Sequence, residues 1–426
     1  MLAAPERRGS LGELEKGLLE ALKADGARLL ELMLHHPDQR VVQDGARPGE
    51  EDFGLRSKTV LTALGWIVIR RRYYYDATRG QGRYALDEAL KLIDGYSPLV
   101  AQWMCRAGAS AGSYQAASRD LWAYAGLEVD ARQIQRMVEH LGPSMAQWRA
   151  AQPVVMDPRA GEVFCVSADG TGAPVRRQEL RGRKGKQPDG SARTREIKVG
   201  AIFTHRRPPK NERPTRDYGA TTYVADLLTA EDFGGRLRQE ALLRGLARAQ
   251  TVVFLGDGAA WVWNLARINF PGAICILDFY HALEHLSALT NALYGEGTPQ
   301  AKRQFRRWRR AFLRDKVLDV IAQANADWPT GKAARRSARK EIAYLERNRL
   351  RMTYQTFRQS GYFIGSGVVE AACKTVVGQR CKQSGMLWSC QGLRHLLPIR
   401  CAFLSGWFDD FWKHFNSPAQ EMAAAA

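Results

Sequence analysis

No C-x-x-C pair occurs among the seven cysteines of this 426-residue chain, which excludes zinc sites and redox motifs built on that spacing. Cys105, Cys165, Cys275, Cys373, Cys381, Cys390 and Cys401 stand apart, several inside apolar runs where they read as small hydrophobes, as a reducing cytoplasm would allow. No stretch approaches the ~18 uninterrupted apolar residues of a membrane span, and "MLAAPERRGSLGELEKG" lacks the apolar core and cleavage site of an export signal. A cytoplasmic protein with no membrane partner is therefore expected. No repeat of about 20 to 50 residues is present, so a solenoid is excluded. Acidic residues are the scarce sign: 44 Asp and Glu stand against 63 Lys and Arg, giving a formal charge of +19. That surplus favours a polyanionic partner such as nucleic acid over a neutral metabolite.

The length implies about two to four modules. Leu11, Leu14, Leu18, Leu22, Leu29, Leu30 and Met33 recur near helical spacing, predicting an amphipathic helix over 11–34, broken or bent at Gly26, that packs on its own domain or pairs with a partner chain. A polar linker completes a first segment, 1–55. Residues 56–97 read as a β-hairpin module followed by a helix, with β-branched and aromatic residues suited to a small antiparallel sheet. In 98–150, a helix from Ser113, a turn at Gly126 and a second helix capped by Asp130 form a helix-turn-helix pattern. Arg132, Gln133, Gln135 and Arg136 open its second helix, where side chains can reach base edges or phosphates.

From residue 161 strands and helices alternate. "EVFCVSADGTG" reads as a strand ending at Asp169, "REIKVGAIFTH" and "YGATTYVAD" as strands, then come strand-helix pairs through "TVVFLGDG" and "GAICILDFYH". The order indicates a mixed sheet covered by helices. The loop joining its first two strands is strongly basic, with Arg181, Arg183 and Lys184 placed for phosphate contact. Residues 282–358 read as wholly helical and carry the arginines Arg306, Arg307, Arg309 and Arg310. Their density favours contact with phosphates, although a solvated helix face has the same composition.

Three acids share one setting. Asp169 follows "VFCVSA", Asp257 follows "VVFLG", and Glu370 opens a helix after "GSGVV". Carboxylates at the ends of neighbouring strands can converge at one sheet edge, with a later helix completing the cluster. Hard divalent cations such as Mg²⁺ take oxygen ligands of this kind, and paired ions can activate the attacking oxygen and stabilise the leaving one in phosphodiester chemistry. Gly170, Gly258 and Gly367 beside them would allow a phosphate backbone to approach closely. Taken singly, each acid also fits a turn, a helix cap or a surface position.

The blocks "SADGTGAPV", "FLGDGAAWVWN", "LDFYHALEHL" and "GSGVVEAACKTVVGQRCKQSGMLWS" resemble the catalytic core of insertion-sequence transposases of the ISKra type, within the DDE transposases. The likeness covers most of 56–413. It implies an α/β protein: an RNase H-like mixed-sheet catalytic core in 151–281 and 359–426, interrupted by an all-helical insertion at 282–358 and preceded by the helical, β-hairpin and helix-turn-helix segments. It further implies that Asp169, Asp257 and Glu370 are the catalytic metal ligands for Mg²⁺, with Mn²⁺ as a substitute. The partners implied are terminal inverted repeats and target DNA, bound by a homodimer or higher oligomer. In "DFYH", Asp278 and His281 resemble a C/D-x-x-H motif that sits beside such active sites and handles the transposon end. The chain departs from its relatives in "YYYDATRGQG", where Asp76 and Arg79 stand in the places of a zinc-ribbon C-x-x-C. No zinc is expected there, and any DNA contact by the hairpin falls to Arg70, Arg71, Arg72 and the tyrosines.

Two other functions compete. "HALEH" matches the H-x-x-E-H signature of zinc metallopeptidases, with His281 and His285 as ligands and Glu284 as base, although His285 also fits a purely structural role. A non-catalytic DNA-binding derivative would keep the helix-turn-helix and basic helices without needing the three acids.

Overall fold

The computed structural model describes residues 10–35, 45–154, 163–180, 194–209 and 212–417. The chain divides into two compact units, Met1–Val138 with Trp412–Ala426, and Glu139–Phe411.

In the first unit, helix α1 (Leu11–His35) precedes a three-stranded antiparallel sheet, β1 (Glu51–Thr62), β2 (Gly65–Asp76) and β3 (Gln81–Tyr84), in that order. Alternation along β2 buries Ile67 and Ile69 and exposes Trp66 and Val68. Leu86 of the short helix α2 (Ala85–Ala89) joins that core, onto which Ala27, Leu30 and Leu34 of α1 pack. The expected break at Gly26 does not occur: α1 runs through it as one continuous helix. A Cβ there would lie 3.2 Å from Leu64 Cδ1, so the glycine serves close packing on the hairpin rather than a break.

Helices α3 (Pro98–Ser110) and α4 (Tyr114–Ala125) follow, and α5 (Ala131–Ala151) begins in the same unit. Ser113 Oγ accepts from Ala116 N at 3.0 Å, and Gly126 ends α4 in the left-handed conformation at φ 62°. Asp130 Oδ1 accepts from the amides of Arg132 and Gln133, while Gln133 Oε1 accepts from Asp130 N at 2.9 Å. That reciprocal capping box fixes the start of the second helix.

The second unit is built on a five-stranded sheet of order β6-β5-β4-β7-β8: β4 (Val163–Pro174), β5 (Thr194–His205), β6 (Thr222–Asp226), β7 (Thr251–Gly256) and β8 (Ile274–Leu277). The pairs β4/β5 and β5/β6 are antiparallel, whereas β4/β7 and β7/β8 are parallel. Side-chain alternation sends Phe164, Val166 and Ala168 to one face, where α6 (Ala230–Leu243) and α7 (Ala260–Asn269) cover them with Phe233, Leu237 and Leu265. Val163, Cys165, Val253 and Leu255 turn to the other face. There they meet Leu286 of α8 (Phe279–Tyr294), Trp308 of α9 (Pro299–Phe312), and Ile342 of α11 (Lys332–Asn348). Helices α10 (Val317–Ala326) and α12 (Tyr354–Gln359) complete that helical layer. The mixed sheet with helices on both faces is thus present as the element order indicates.

Two strand ends differ from expectation. β4 does not stop at Asp169 but continues to Pro174, because its antiparallel partner β5 extends that far while the parallel pairing with β7 ends at Ser167. β8 ends at Leu277, and "DFYH" is the start of α8 rather than strand.

Candidate active site

The parallel register pairs Val163 with Thr251 and Ser167 with Leu255, so Asp169 and Asp257 lie at the same level, two residues beyond the last paired position. Both continue the alternation of Cys165 and Leu255 and share their face of the sheet. The position lies at the carboxyl ends of adjacent parallel strands, the edge where open α/β sheets bind ligands.

The third acid comes from α13 (Gly367–Ala372), which runs into a π-helical turn (Cys373–Gly378) and then the single turn α14 (Gln379–Cys381). Such an interruption re-aims the side chains on either side of it. Here it brings the Cys373 thiol to Asp169, donating to Oδ2 at 3.5 Å, while Glu370 lies one turn before. Asp169 Oδ1 accepts from Gly170 N at 2.6 Å. Asp257 Oδ1 accepts from Ala259 N at 2.9 Å, closing a local turn without capping α7. Glu370 Oε1 accepts from Ser366 Oγ at 3.0 Å.

Electrostatics tie the three together. Burial, first, and then the charges of Asp257 and Glu370 hold the Asp169 carboxyl above the usual aspartate range, against the hydrogen bonds from Gly170 and Cys373. Burial and the Asp169 charge likewise push the Cys373 thiol far up, so it is a neutral donor there. Among the described residues no three His, Cys, Asp or Glu side chains are gathered tightly enough, as they stand, to hold a metal ion. The acids therefore share a charge field rather than a finished coordination shell. Their donor chemistry, hard carboxylate oxygens whose charges repel one another, is the kind Mg²⁺ or Mn²⁺ takes.

Three neighbours that sequence reasoning missed hold this arrangement. Tyr344, from α11, donates its hydroxyl to the Asp257 carbonyl at 2.7 Å. Burial, then the charges of Asp257, Asp278 and Glu341, hold that phenol protonated far above its ordinary range. A Cβ on Gly258 (φ +96°) would stand 2.3 Å from the Tyr344 hydroxyl, so this glycine answers to the backbone and the tyrosine. Ser366 braces Glu370, and Cys373 braces Asp169. The expectation that the flanking glycines open space for a phosphate backbone holds only at Gly367, which has nothing within 4 Å; a Cβ on Gly170 would meet the Glu196 carboxylate at 2.6 Å. On the β4 continuation, Lys382 Nζ donates to Thr171 Oγ1 at 2.6 Å, placing a cation two residues past Asp169.

Asp278 is buried, at 1% exposure, and works as a brace. One carboxylate oxygen accepts from His281 N at 2.6 Å, capping α8; the other accepts from Ser366 N, on the segment leading to Glu370. Its own amide donates to Gly256 O at 2.8 Å. Asp278 thus joins the end of β7, the start of α8 and the approach to α13. His281 is partly exposed, with Nδ1 3.0 Å from Glu284 Oε2. His285 lies 2.5 Å from the buried Glu341 carboxylate and stacks on Tyr344 with ring centroids 3.5 Å apart. That residue is committed to packing, and Glu284 turns back on His281, so "HALEH" does not present a free ligand pair with a free base.

Of the expected DNA contacts, Arg132 and Arg136 are exposed one turn apart on α5, whereas Gln133 is engaged in the capping box. Arg306, Arg307, Arg309 and Arg310 are all exposed on α9, whose opposite side buries Ala301, Trp308 and Phe312. Arg181, Arg183 and Lys184 lie outside the described residues. In the hairpin, Arg70 is exposed, but Arg71 is not available to DNA: its guanidinium is paired with Asp87 at 2.6 Å and lies 3.4 Å over Tyr84. Arg72 is paired with Asp52. Where a C-x-x-C would sit, Asp76 Oδ1 accepts from the Thr78 amide and hydroxyl and the Arg79 amide, so hydrogen bonds close that turn.

The chain belongs to the uncharacterised protein family UPF0236, whose model matches residues 7–410. No curated protein matches it. Among solved structures, it is similar to the Drosophila P element transposase strand transfer complex at 7% identity, over 75% of this chain and 80% of that one, with a TM-score of 0.26. No described helix is long and apolar enough to cross a membrane.

Proposed function

We propose that this member of the UPF0236 family is a DNA transposase of a bacterial insertion sequence, of the ISKra type, acting in the cytoplasm through a metal-dependent DDE site in an RNase H-like core. The observation that carries the reading is the level placement of Asp169 and Asp257 on adjacent parallel strands, in the same charge field as Glu370. The residue order, two aspartates just past the parallel pairing of β4 and β7 followed by a helical glutamate after a long helical segment, supports it. So do the residue blocks that resemble ISKra-type cores.

In this reading Asp169, Asp257 and Glu370 hold Mg²⁺, or Mn²⁺ in its place. Bound there, the cation supplies activation of the attacking oxygen and stabilisation of the leaving one. The chain's own residues do the rest. Ser366 fixes the rotamer of Glu370, Tyr344 fixes the Asp257 backbone, and Asp278 locks both to the end of β8. Water cleaves at the element end to leave a 3′-hydroxyl, which then attacks a target phosphodiester in the same site. His281, partly exposed beside Asp278, positions the flanking strand. Arg132 and Arg136 engage the terminal repeats, and the arginines of α9 bind phosphates. Holding two ends together requires at least a dimer on DNA.

The test is strand-specific cleavage of a labelled duplex carrying the element's own terminal repeat, with Mg²⁺ or with EDTA. Metal-dependent nicking at the repeat boundary is expected. Tight binding with no cleavage under any divalent metal would replace this reading with a non-catalytic DNA-binding derivative.

A further inference from the structure

α1 is amphipathic on the wrong scale for the surface it covers. Its packing side, Gly26, Ala27, Leu30 and Leu34, rests on the small sheet and on Leu64. A second apolar stripe, offset by about 130° at 3.6 residues per turn, runs from Leu11 through Leu14, Leu18, Leu22 and Leu29 to Leu32. Each of those leucines is 60 to 72% exposed, and none of the 25 residues of α1 is buried. Residues 11–22 are exposed throughout. A helical stretch of that length is marginal in water without a packed face.

We infer that this stripe is a self-association surface, on which α1 of a second copy of the chain lies antiparallel. Three features favour that occupant and orientation. The stripe presents six leucines, each at least 60% exposed, whose burial together with the side chains flanking them is what the ~800 Å² per partner of a standard stable interface calls for. It extends over most of the helix, about 33 Å from Leu11 to Leu32 at 1.5 Å per residue, so two copies match along their whole stripe. Asp25 lies within it, 3.7 Å from Arg28. Parallel in-register pairing sets Asp25 against Asp25, a like-charge contact in an apolar seam. Antiparallel pairing removes that contact: it brings Leu11 opposite Leu32, Leu14 opposite Leu29 and Leu18 opposite Asp25, whose carboxylate keeps its own Arg28 beside it, with Leu22 beside its own copy at the centre. The surface is independent of the active site and of DNA, and the inference stands or falls apart from the transposase reading.

The test uses the full-length chain without nucleic acid. Sedimentation should show a dimer for the wild type, and Leu18→Glu, at a position 62% exposed, should raise the dimer dissociation constant by about 100-fold or more, with no loss of circular dichroism helicity beyond what the 11–22 stretch accounts for. A wild type that stays monomeric up to about 100 μM, a K_d too weak for an interface of standard size, overturns the inference. So does a Leu18→Glu chain that dimerises as tightly as the wild type. For orientation, Leu14→Cys and Leu29→Cys chains are mixed and oxidised, with wild type as the control for the native cysteines. Cross-linking in the mixture but in neither variant alone supports the antiparallel arrangement; cross-linking of Leu14→Cys alone contradicts it.

Discussion

The acids of the three-stranded sheet and the cluster around Asp169 in the second unit keep opposite company, while Glu196 and Asp226 elsewhere in the five-stranded sheet are ion-paired with Lys198 and Arg236. In the small sheet Glu50 is bonded by Arg83, Asp52 by the Gly54 amide and Arg72, and Asp76 by Thr78 and Arg79; all three carboxyls sit below their ordinary range. Asp87 is shared by Arg71 and Lys58. In the large sheet Asp169 is held above its ordinary range by burial, Asp257 and Glu370. Paired acids build a fold, whereas acids gathered against one another cost stability and make sense when a cation is to be held.

The largest effect that would sharpen this contrast is Asp257→Asn. Cleavage of repeat DNA should fall on the order of 10³-fold, while the melting temperature holds or rises because a like charge near Asp169 is gone. Asp87→Ala should do the reverse: it leaves the buried Arg71 guanidinium unpaired and should cost about 3 kcal/mol in urea unfolding of the first unit. Ser366→Ala should reduce cleavage about tenfold by freeing Glu370, with recovery in Ser366→Thr, as expected of a group that orients a metal ligand. Replacing Arg132 and Arg136 together by Ala should lower the salt dependence of DNA binding by a slope of about 1 to 2 without altering metal dependence. Unchanged binding would remove α5 from the DNA interface.

Acid separates the two regions by sign. Carboxyls with lowered values, Glu50, Asp52 and Asp76, contribute stability above their unfolded pKa that is lost as pH falls through the folded ones. Asp169, with a raised value, contributes in the opposite direction: its favourable share is present below the unfolded pKa and lost as pH rises through the folded one. Hydrogen exchange followed on acidification should show protection falling around β1–β3 before it falls around β4 and β7. Equal loss in both would break the contrast.

Much of the site was legible because its parts are local. The apolar runs before Asp169 and Asp257 mark the strands β4 and β7, although β4 runs on past Asp169 to Pro174, and Ser113, Gly126 and Asp130 are capping residues that specify α4 and α5 from their own neighbours. What escaped reading depends on distant chain. Tyr344 reaches Asp257 across 87 residues and Cys373 reaches Asp169 across 204, and neither spacing leaves a local trace. Arg71 sat in an exposed-looking run of three arginines, yet pleating turns it inward onto Tyr84 and Asp87. Gly26 carried the low helix propensity of glycine, which close packing on Leu64 overrides.

The most direct test of the central claim is Mn²⁺ binding followed by electron paramagnetic resonance on the wild type and on Asp169→Asn and Glu370→Gln. Saturable binding to the wild type, weakened at least about tenfold in each variant and released as pH falls through the raised Asp169 value, is the result expected. Equal Mn²⁺ affinity in all three proteins would contradict it, and the three acids would then be neighbours without a common ligand.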